Sequence, residues 1–234
     1  ACGGRIFGAN NADEPTLPEV IMELLVRAGY APILPEGFDK LCCGQMLESK
    51  GMAEEADAMA VAVTQALLKA ADDGQGGTYP IIMDASTCSV RMQKKLAGSR
   101  LTLLDFHEFA HDALLPRLHL MRKPGPVALH INCSVRRTGS DAKLRRVLAA
   151  CVEQVIEPAG VTCCGFGGDR GFAVPELNVH ALRKVHDALP ATCCEGVSTN
   201  RTCEIGLTAE TGRPYHAIAY LLEECSRSNA MATC

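Results

Sequence analysis

Leu41-Cys42-Cys43-Gly44 and Thr162-Cys163-Cys164-Gly165 are one four-residue theme written twice. Adjacent cysteines are rare, and here each pair runs straight into glycine. A single cysteine stands upstream of each pair, Cys2 in the first half and Cys133 in the second. Another stands downstream, Cys88 and Cys203. Each half therefore reads Cys…Cys-Cys-Gly…Cys, with four thiols in that frame. A repeat of this kind points to a duplicated metal-ligand unit.

The chain between the thiols follows one plan in both halves: strand–Cys, helix, strand–Cys-Cys-Gly, helix, strand–Cys, helix. In the first half, Val20, Ile21, Leu24, Leu25 and Ala28 are spaced as one face of a helix, with Thr16 as its cap and Gly29 as its stop. Strands are expected at 31–34, 81–83 and 101–104, and helices over 53–71, 90–96 and 108–115. Pro124-Gly125-Pro126 marks the boundary between a first unit, 1–123, and a second, 124–234. The second half predicts strands at 127–131, 155–156 and 196–198. Its helices are expected over 141–152, 175–189 and 214–225, and 229–234 reads as a tail. The alternation implies an α/β fold of two pseudo-repeated parallel-sheet units with crossover helices. In such sheets ligands gather beyond the carboxyl ends of the strands, so all eight framed cysteines belong at that end. The first half lacks its opening strand, and a strand is expected ahead of Cys2.

Composition narrows the function. A net charge of -4 with no Lys/Arg run argues against a nucleic-acid partner. No apolar run approaches the 18 or so residues of a membrane span. Thirteen cysteines could signal a disulfide framework, but the count is odd and 234 residues can bury a core without staples. Clustered thiols in such a chain point instead to metal or redox chemistry. Cys151 and Cys225 fall on helix faces and read as small buried hydrophobes. Cys193-Cys194 is followed by Glu195 rather than glycine and reads as a loop pair.

Thiolates suit both iron–sulfur clusters and zinc. A vicinal pair chelates one ion poorly but can reach two irons of a cluster. Gly44 and Gly165 permit positive φ and close backbone approach. With Gly167 and Gly168 they are the candidate cofactor-binding glycines, whose backbone N–H groups would face cluster sulfur. His107-Glu108-Phe109-Ala110-His111 matches the HExxH zinc-peptidase pattern. However, Leu114 and Arg117 stand where a third-ligand motif needs glycine and histidine. A helix with one packed and one surface histidine accounts for it better. His130 is read as a core histidine in preference to a group beside a cluster. Asp169-Arg170 and Asn200-Arg201 either line the cleft or lock the loops by ion pairs.

The frame resembles the cysteine-rich Cys-Cys-Gly domain found in heterodisulfide reductases, in glycerol-3-phosphate dehydrogenase and in the iron–sulfur components of glycolate oxidase. More closely, it resembles the C-terminal region of bacterial flavin- and iron–sulfur-containing D-lactate dehydrogenases. The stretches that carry this are Leu41-Cys-Cys-Gly-Gln-Met-Leu-Glu-Ser-Lys-Gly51, Asp84-Ala-Ser-Thr-Cys88, His130-Ile-Asn-Cys-Ser134, Cys163-Cys-Gly-Phe-Gly-Gly-Asp-Arg-Gly171, Ser198-Thr-Asn-Arg-Thr-Cys-Glu-Ile-Gly206 and Thr211-Gly-Arg-Pro-Tyr215. The resemblance implies an iron–sulfur cluster of [4Fe–4S] type held by Cys2, Cys42, Cys43, Cys88, Cys133, Cys163, Cys164 and Cys203. It also implies an N-terminal FAD domain as partner and a quinone or cytochrome as electron acceptor. The expected location is cytoplasmic or peripheral on the inner face of a membrane. Ala85 and Asn200 stand where heterodisulfide-reductase relatives carry an extra cysteine, which leaves the cluster type open. Zinc in one half, a zinc-held docking module and a thiol–disulfide oxidoreductase are the alternatives.

Overall fold

The computed structural model describes residues 1–8 and 13–227. The first half contains α1 (Cys2–Phe7), α2 (Leu17–Arg27), α3 (Gln45–Glu48), α4 (Ala53–Ala71), β1 (Ile81–Met83), α5 (Ser86–Lys95), β2 (Leu103–Asp105) and α6 (Phe106–Phe109). A single π-helical turn, Ala110–Leu114, continues α6. The second half contains β3 (Lys123–Leu129), α7 (Cys133–Thr138), α8 (Asp141–Cys151), β4 (Val152–Ile156), α9 (Arg170–Ala173), α10 (Glu176–Leu182), α11 (Val185–Ala188), β5 (Gly196–Ser198), α12 (Arg201–Thr211), β6 (Tyr215–Ala217) and α13 (Ile218–Ser226).

All named strand pairs are parallel. The second half forms a sheet ordered β4-β3-β5-β6, and the first half a smaller one, β1-β2. Helices join the parallel strands, as the α/β pattern requires. Cys88, Cys133, Cys163, Cys164 and Cys203 lie beyond the carboxyl ends of β1, β3, β4 and β5, Cys42 and Cys43 lie in the matching first-half loop, and Cys2 opens α1.

Local chemistry explains where elements begin. α2 opens with a capping box in which Thr16 and Glu19 satisfy each other's backbone N–H groups, and Pro18 occupies its first turn. α6 opens the same way on Asp105 and Glu108. Several expected boundaries move. Cys88 and Cys133 sit inside the first turn of a helix rather than in a loop, because α5 begins at Ser86 and α7 at Cys133. Cys2 likewise opens α1, and Cys203 lies in the first turn of α12. The expected helix over 175–189 is broken between α10 and α11, and that over 214–225 gives its first residues to β6. Residues 31–34 have no strand assignment. The tail at 229–234, with Cys234, lies outside the described residues.

The largest apolar core is shared by both sides of the 123/124 boundary. Val20, Leu24 and Phe109 from the first half pack with Leu144, Leu148, Ile218 and Leu222 from the second. Two smaller cores flank it, one beneath Cys43 and Cys88 and one beneath Cys164 and Cys203. Among the described residues no helix is long and apolar enough to cross a membrane.

Candidate metal centre

The outer thiol of each Cys-Cys-Gly turn accepts a hydrogen bond from the glycine N–H. Gly44 N lies 3.4 Å from Cys42 Sγ and Gly165 N lies 3.3 Å from Cys163 Sγ. The inner thiol turns inward. Cys43 Sγ is 3.1 Å from Cys88 Sγ, and Cys164 Sγ is 3.0 Å from Cys203 Sγ. All four inward thiols are buried. The turn needs glycine for two reasons. Gly44 and Gly165 have φ of 79° and 75°, and a Cβ on either would run into a helix carbonyl, that of Ala56 or of Leu177.

A side chain from a helix fixes each turn from behind. The buried Arg91 guanidinium donates through Nε to the Cys43 carbonyl at 2.6 Å. It also pairs with Glu48 and, at 2.8 Å, with Asp57. In the second half Asn178 Nδ2 donates to the Cys164 carbonyl, also at 2.6 Å. Gly206 leaves room for that amide, since a Cβ there would clash with Asn178 and Phe166. Neither Arg91 nor Asn178 was legible in the sequence, because both lie far from the cysteines they serve and carry no motif.

The first half gathers all four of its framed thiols. Cys2 Sγ is 3.4 Å from Cys42 Sγ, which neighbours Cys43 and through it Cys88. In the second half Cys163, Cys164 and Cys203 come together, while Cys133 is exposed. Cys133 begins α7, which packs on α5, the helix of Cys88. Reciprocally α1, which begins with Cys2, packs on α12, the helix of Cys203. The halves thus cross at their cysteine helices. Their loops also meet: Lys50 pairs with Asp169 at 2.6 Å, and Arg170 donates to the Ser49 carbonyl at 3.3 Å. Phe7 packs on Phe172 with ring centroids 5.1 Å apart. Ser86, Asn132 and Thr199 close the seam beneath, with hydroxyl and amide bonds of 2.7 and 2.8 Å to Thr199 Oγ1.

Packing thiols this closely sets their acidity. Cys43 is pushed up by its hydrogen bonds to Cys42 and Cys88 and then by burial. Cys2 is pushed up by its bond to Cys42, and Cys42 is drawn down by its bonds with Cys2 and Cys43. Hydrogen bonding to Cys164 and burial raise Cys163. For Cys164, the bond with Cys163 acts downward, but Cys203 and burial outweigh it.

The donor set fits a thiolate-bound metal, and the spacing says what binding requires. Two thiolates on one tetrahedral zinc, at ~2.3 Å each, lie about 3.8 Å apart. The thiol pairs stand closer than that, at 3.0 to 3.4 Å. Among the described residues no three His, Cys, Asp or Glu side chains surround a single ion position. Holding a metal would therefore require proton loss and a spreading of the thiols.

The remaining candidates resolve plainly. His107 engages both ring nitrogens, with Asp105 at 2.6 Å and Ser140 at 2.8 Å, and is buried. Glu108 caps α6, so HExxH is a helix start and not a zinc site. His130 is buried against Ser198 at 3.2 Å, as a core histidine. Cys151 and Cys225 are buried, with Cys225 donating to the Cys151 carbonyl. Cys193 is buried and Cys194 exposed, each bonded to a loop carbonyl. Gly167 and Gly168 both have positive φ, and Gly168 faces Ser49 of the other half.

The family described as "Cysteine-rich domain" matches residues 7–93 and 127–208. No curated protein matches the chain. The two matched segments each enclose one Cys-Cys-Gly turn and its downstream cysteine.

Proposed function

The chain belongs to the cysteine-rich domain family, with two copies spanning most of its length, and from that premise we propose that it is the iron–sulfur electron-transfer part of a flavin-dependent dehydrogenase of D-2-hydroxy acids such as D-lactate. Family membership supports a metal- or iron–sulfur-binding role of the oxidoreductase kind. The finer assignment rests on the motifs quoted above. The observation that carries it is the repeated thiol chain, in which a buried inner cysteine and a more exposed outer one share each glycine turn.

Cys2, Cys42, Cys43 and Cys88 would hold a cluster in the first half. Cys163, Cys164 and Cys203 would do so in the second. When bound, the cluster supplies a one-electron site between a two-electron flavin and a respiratory acceptor. The protein's own part is geometric. Gly44 and Gly165 direct N–H groups at the outer sulfurs, and Arg91 and Asn178 hold the inner loops.

Anaerobic reconstitution with iron and sulfide, followed by metal analysis and electron paramagnetic resonance before and after dithionite, tests this. Near-stoichiometric iron and a signal that changes on reduction are expected. Cys43→Ser and Cys164→Ser should each remove the signal of their own half. Tight zinc with no iron uptake would replace this reading with a zinc-held docking module.

A further inference from the structure

Two thiols outside the Cys-Cys-Gly frame meet in the main core. Cys151 ends α8, and Cys225 lies in the last turn of α13. These helices pack on one another, and both cysteines are buried. Cys225 Sγ lies 3.2 Å from the Cys151 carbonyl oxygen. The two thiols also hydrogen-bond each other, which pushes Cys151 up and draws Cys225 down. A buried thiol used as apolar filler needs no polar neighbour, yet Cys225 has several. The Lys123 backbone N–H donates to its sulfur. The Lys123 ammonium, paired with Glu195 at 2.7 Å and Glu224 at 3.1 Å, also favours the Cys225 thiolate, and Glu224 opposes it.

Position in the chain gives this contact its consequence. The two cysteines are 74 residues apart, and Cys163, Cys164 and Cys203 all lie on the stretch between them. α13 also ties the halves together. Arg27 of α2 pairs with Glu223 of α13 at 3.0 Å and donates to Ser226 in its last turn. A bond from Cys151 to Cys225 would therefore fix the helix that the first half grips and enclose the loops that carry the second thiol group.

We propose that Cys151 and Cys225 are a redox-sensitive pair, which hydrogen peroxide converts into a disulfide that staples α13 to α8 across the shared core. Cys225 is the attacking thiol, because the groups around its sulfur favour the thiolate. Its sulfur attacks one peroxide oxygen and the O–O bond breaks. A sulfenic acid remains on Cys225, and the departing hydroxide takes the thiol proton and leaves as water. Cys151 Sγ then attacks Cys225 Sγ. The S–S bond forms, the S–O bond breaks, and the leaving hydroxide carries off the Cys151 proton as a second water. The two thiols together lose two electrons, and the peroxide gains them. A thiol reductant reverses the bond by exchange. Because the closed loop is long, the bond restricts the unfolded chain strongly and stabilises the folded one.

The test needs no metal. The full chain is treated with hydrogen peroxide, denatured, blocked with iodoacetamide and cut with trypsin and Glu-C, which leaves Cys151 on 147–153 and Cys225 on 225–227. The expected product is these two peptides joined, two hydrogens lighter than their sum and absent after reduction. In Cys151→Ala, dimedone should label Cys225 after peroxide treatment. The gain in melting temperature on oxidation should be larger in the parent chain than in Cys151→Ala or Cys225→Ala, by about 5 °C or more. Comparing oxidised with reduced forms of one variant cancels the cost of the substitution itself. The proposal is overturned if both cysteines still take iodoacetamide at peroxide levels that oxidise the framed thiols, or if either is joined to a different cysteine. It is equally overturned if the joined peptides form without any difference in melting between the parent chain and the two variants. Absence of the dimedone label would overturn the assignment of Cys225 as the attacking thiol.

Discussion

Two glycines and two polar side chains decide whether the thiols stay where they are. Gly165→Ala places a methyl group against the Leu177 carbonyl and forces a residue with a Cβ into φ 75°. The conformational cost alone is about 1–2 kcal/mol, and the displaced helix adds to it. Iron uptake in the second half should fall sharply while that in the first persists, as read by metal content of the reconstituted variant. Asn178→Ala leaves the buried Cys164 carbonyl without its donor, a loss of roughly 1–3 kcal/mol readable as a lower denaturation midpoint. His130 gives a pH signature. Burial is the main reason its pKa lies at about 4, with Arg136 acting in the same direction, against 6.5 for the free side chain. Between those values the unfolded chain binds the extra proton and the folded chain does not. Stability should therefore fall as pH drops from about 6.5 to about 4, by about 3 kcal/mol at most, and level off below. His130→Gln should flatten that segment of the stability–pH curve.

The elements show which features of a sequence announce themselves. α2 was legible because its amphipathic stripe and its Thr16 cap act within one helix. The cysteine frame was legible because its order, Cys…Cys-Cys-Gly…Cys, repeats. What sequence reading missed depends on partners. α12 carries Cys203 and buries Thr202, Glu204 and Thr211 along with apolar residues, so its stripe is not apolar. β6 is three residues of a ladder that exists only because β5 lies beside it. Residues 31–34 are the reverse case, a strand pattern that pairs with no strand among the described residues. The seam that joins the first turns of α5, α7 and α12 likewise has no local signature. Thr16→Ala removes one half of the α2 capping box and should cost about 1 kcal/mol, seen as a lower melting temperature.

At the scale of the whole molecule the repeat is deceptive. Two copies of one family unit suggest two independent folding units, yet the main core draws α2 from one side and α8 and α13 from the other. Thermal unfolding followed by circular dichroism should therefore show a single transition. Leu148→Ala, which opens a hole in the shared core, should lower that transition as a whole by about 2–5 kcal/mol without splitting it. The ion pair between Lys50 and Asp169 is partly exposed, so its removal should change stability little. The overall α/β plan and the position of the thiols at one end were readable from alternation and spacing. The interlocking of the halves was not, because no pattern along a chain records which distant helix a helix will meet.

The crossing of the cysteine helices, α1 on α12 and α7 on α5, makes each half a bracket for the other. The first cysteine helix of each half leans on the last cysteine helix of its twin as well as on its own half. Either half separated from its twin would lose part of that seat, so the pair, not the single copy, is the smallest portable unit.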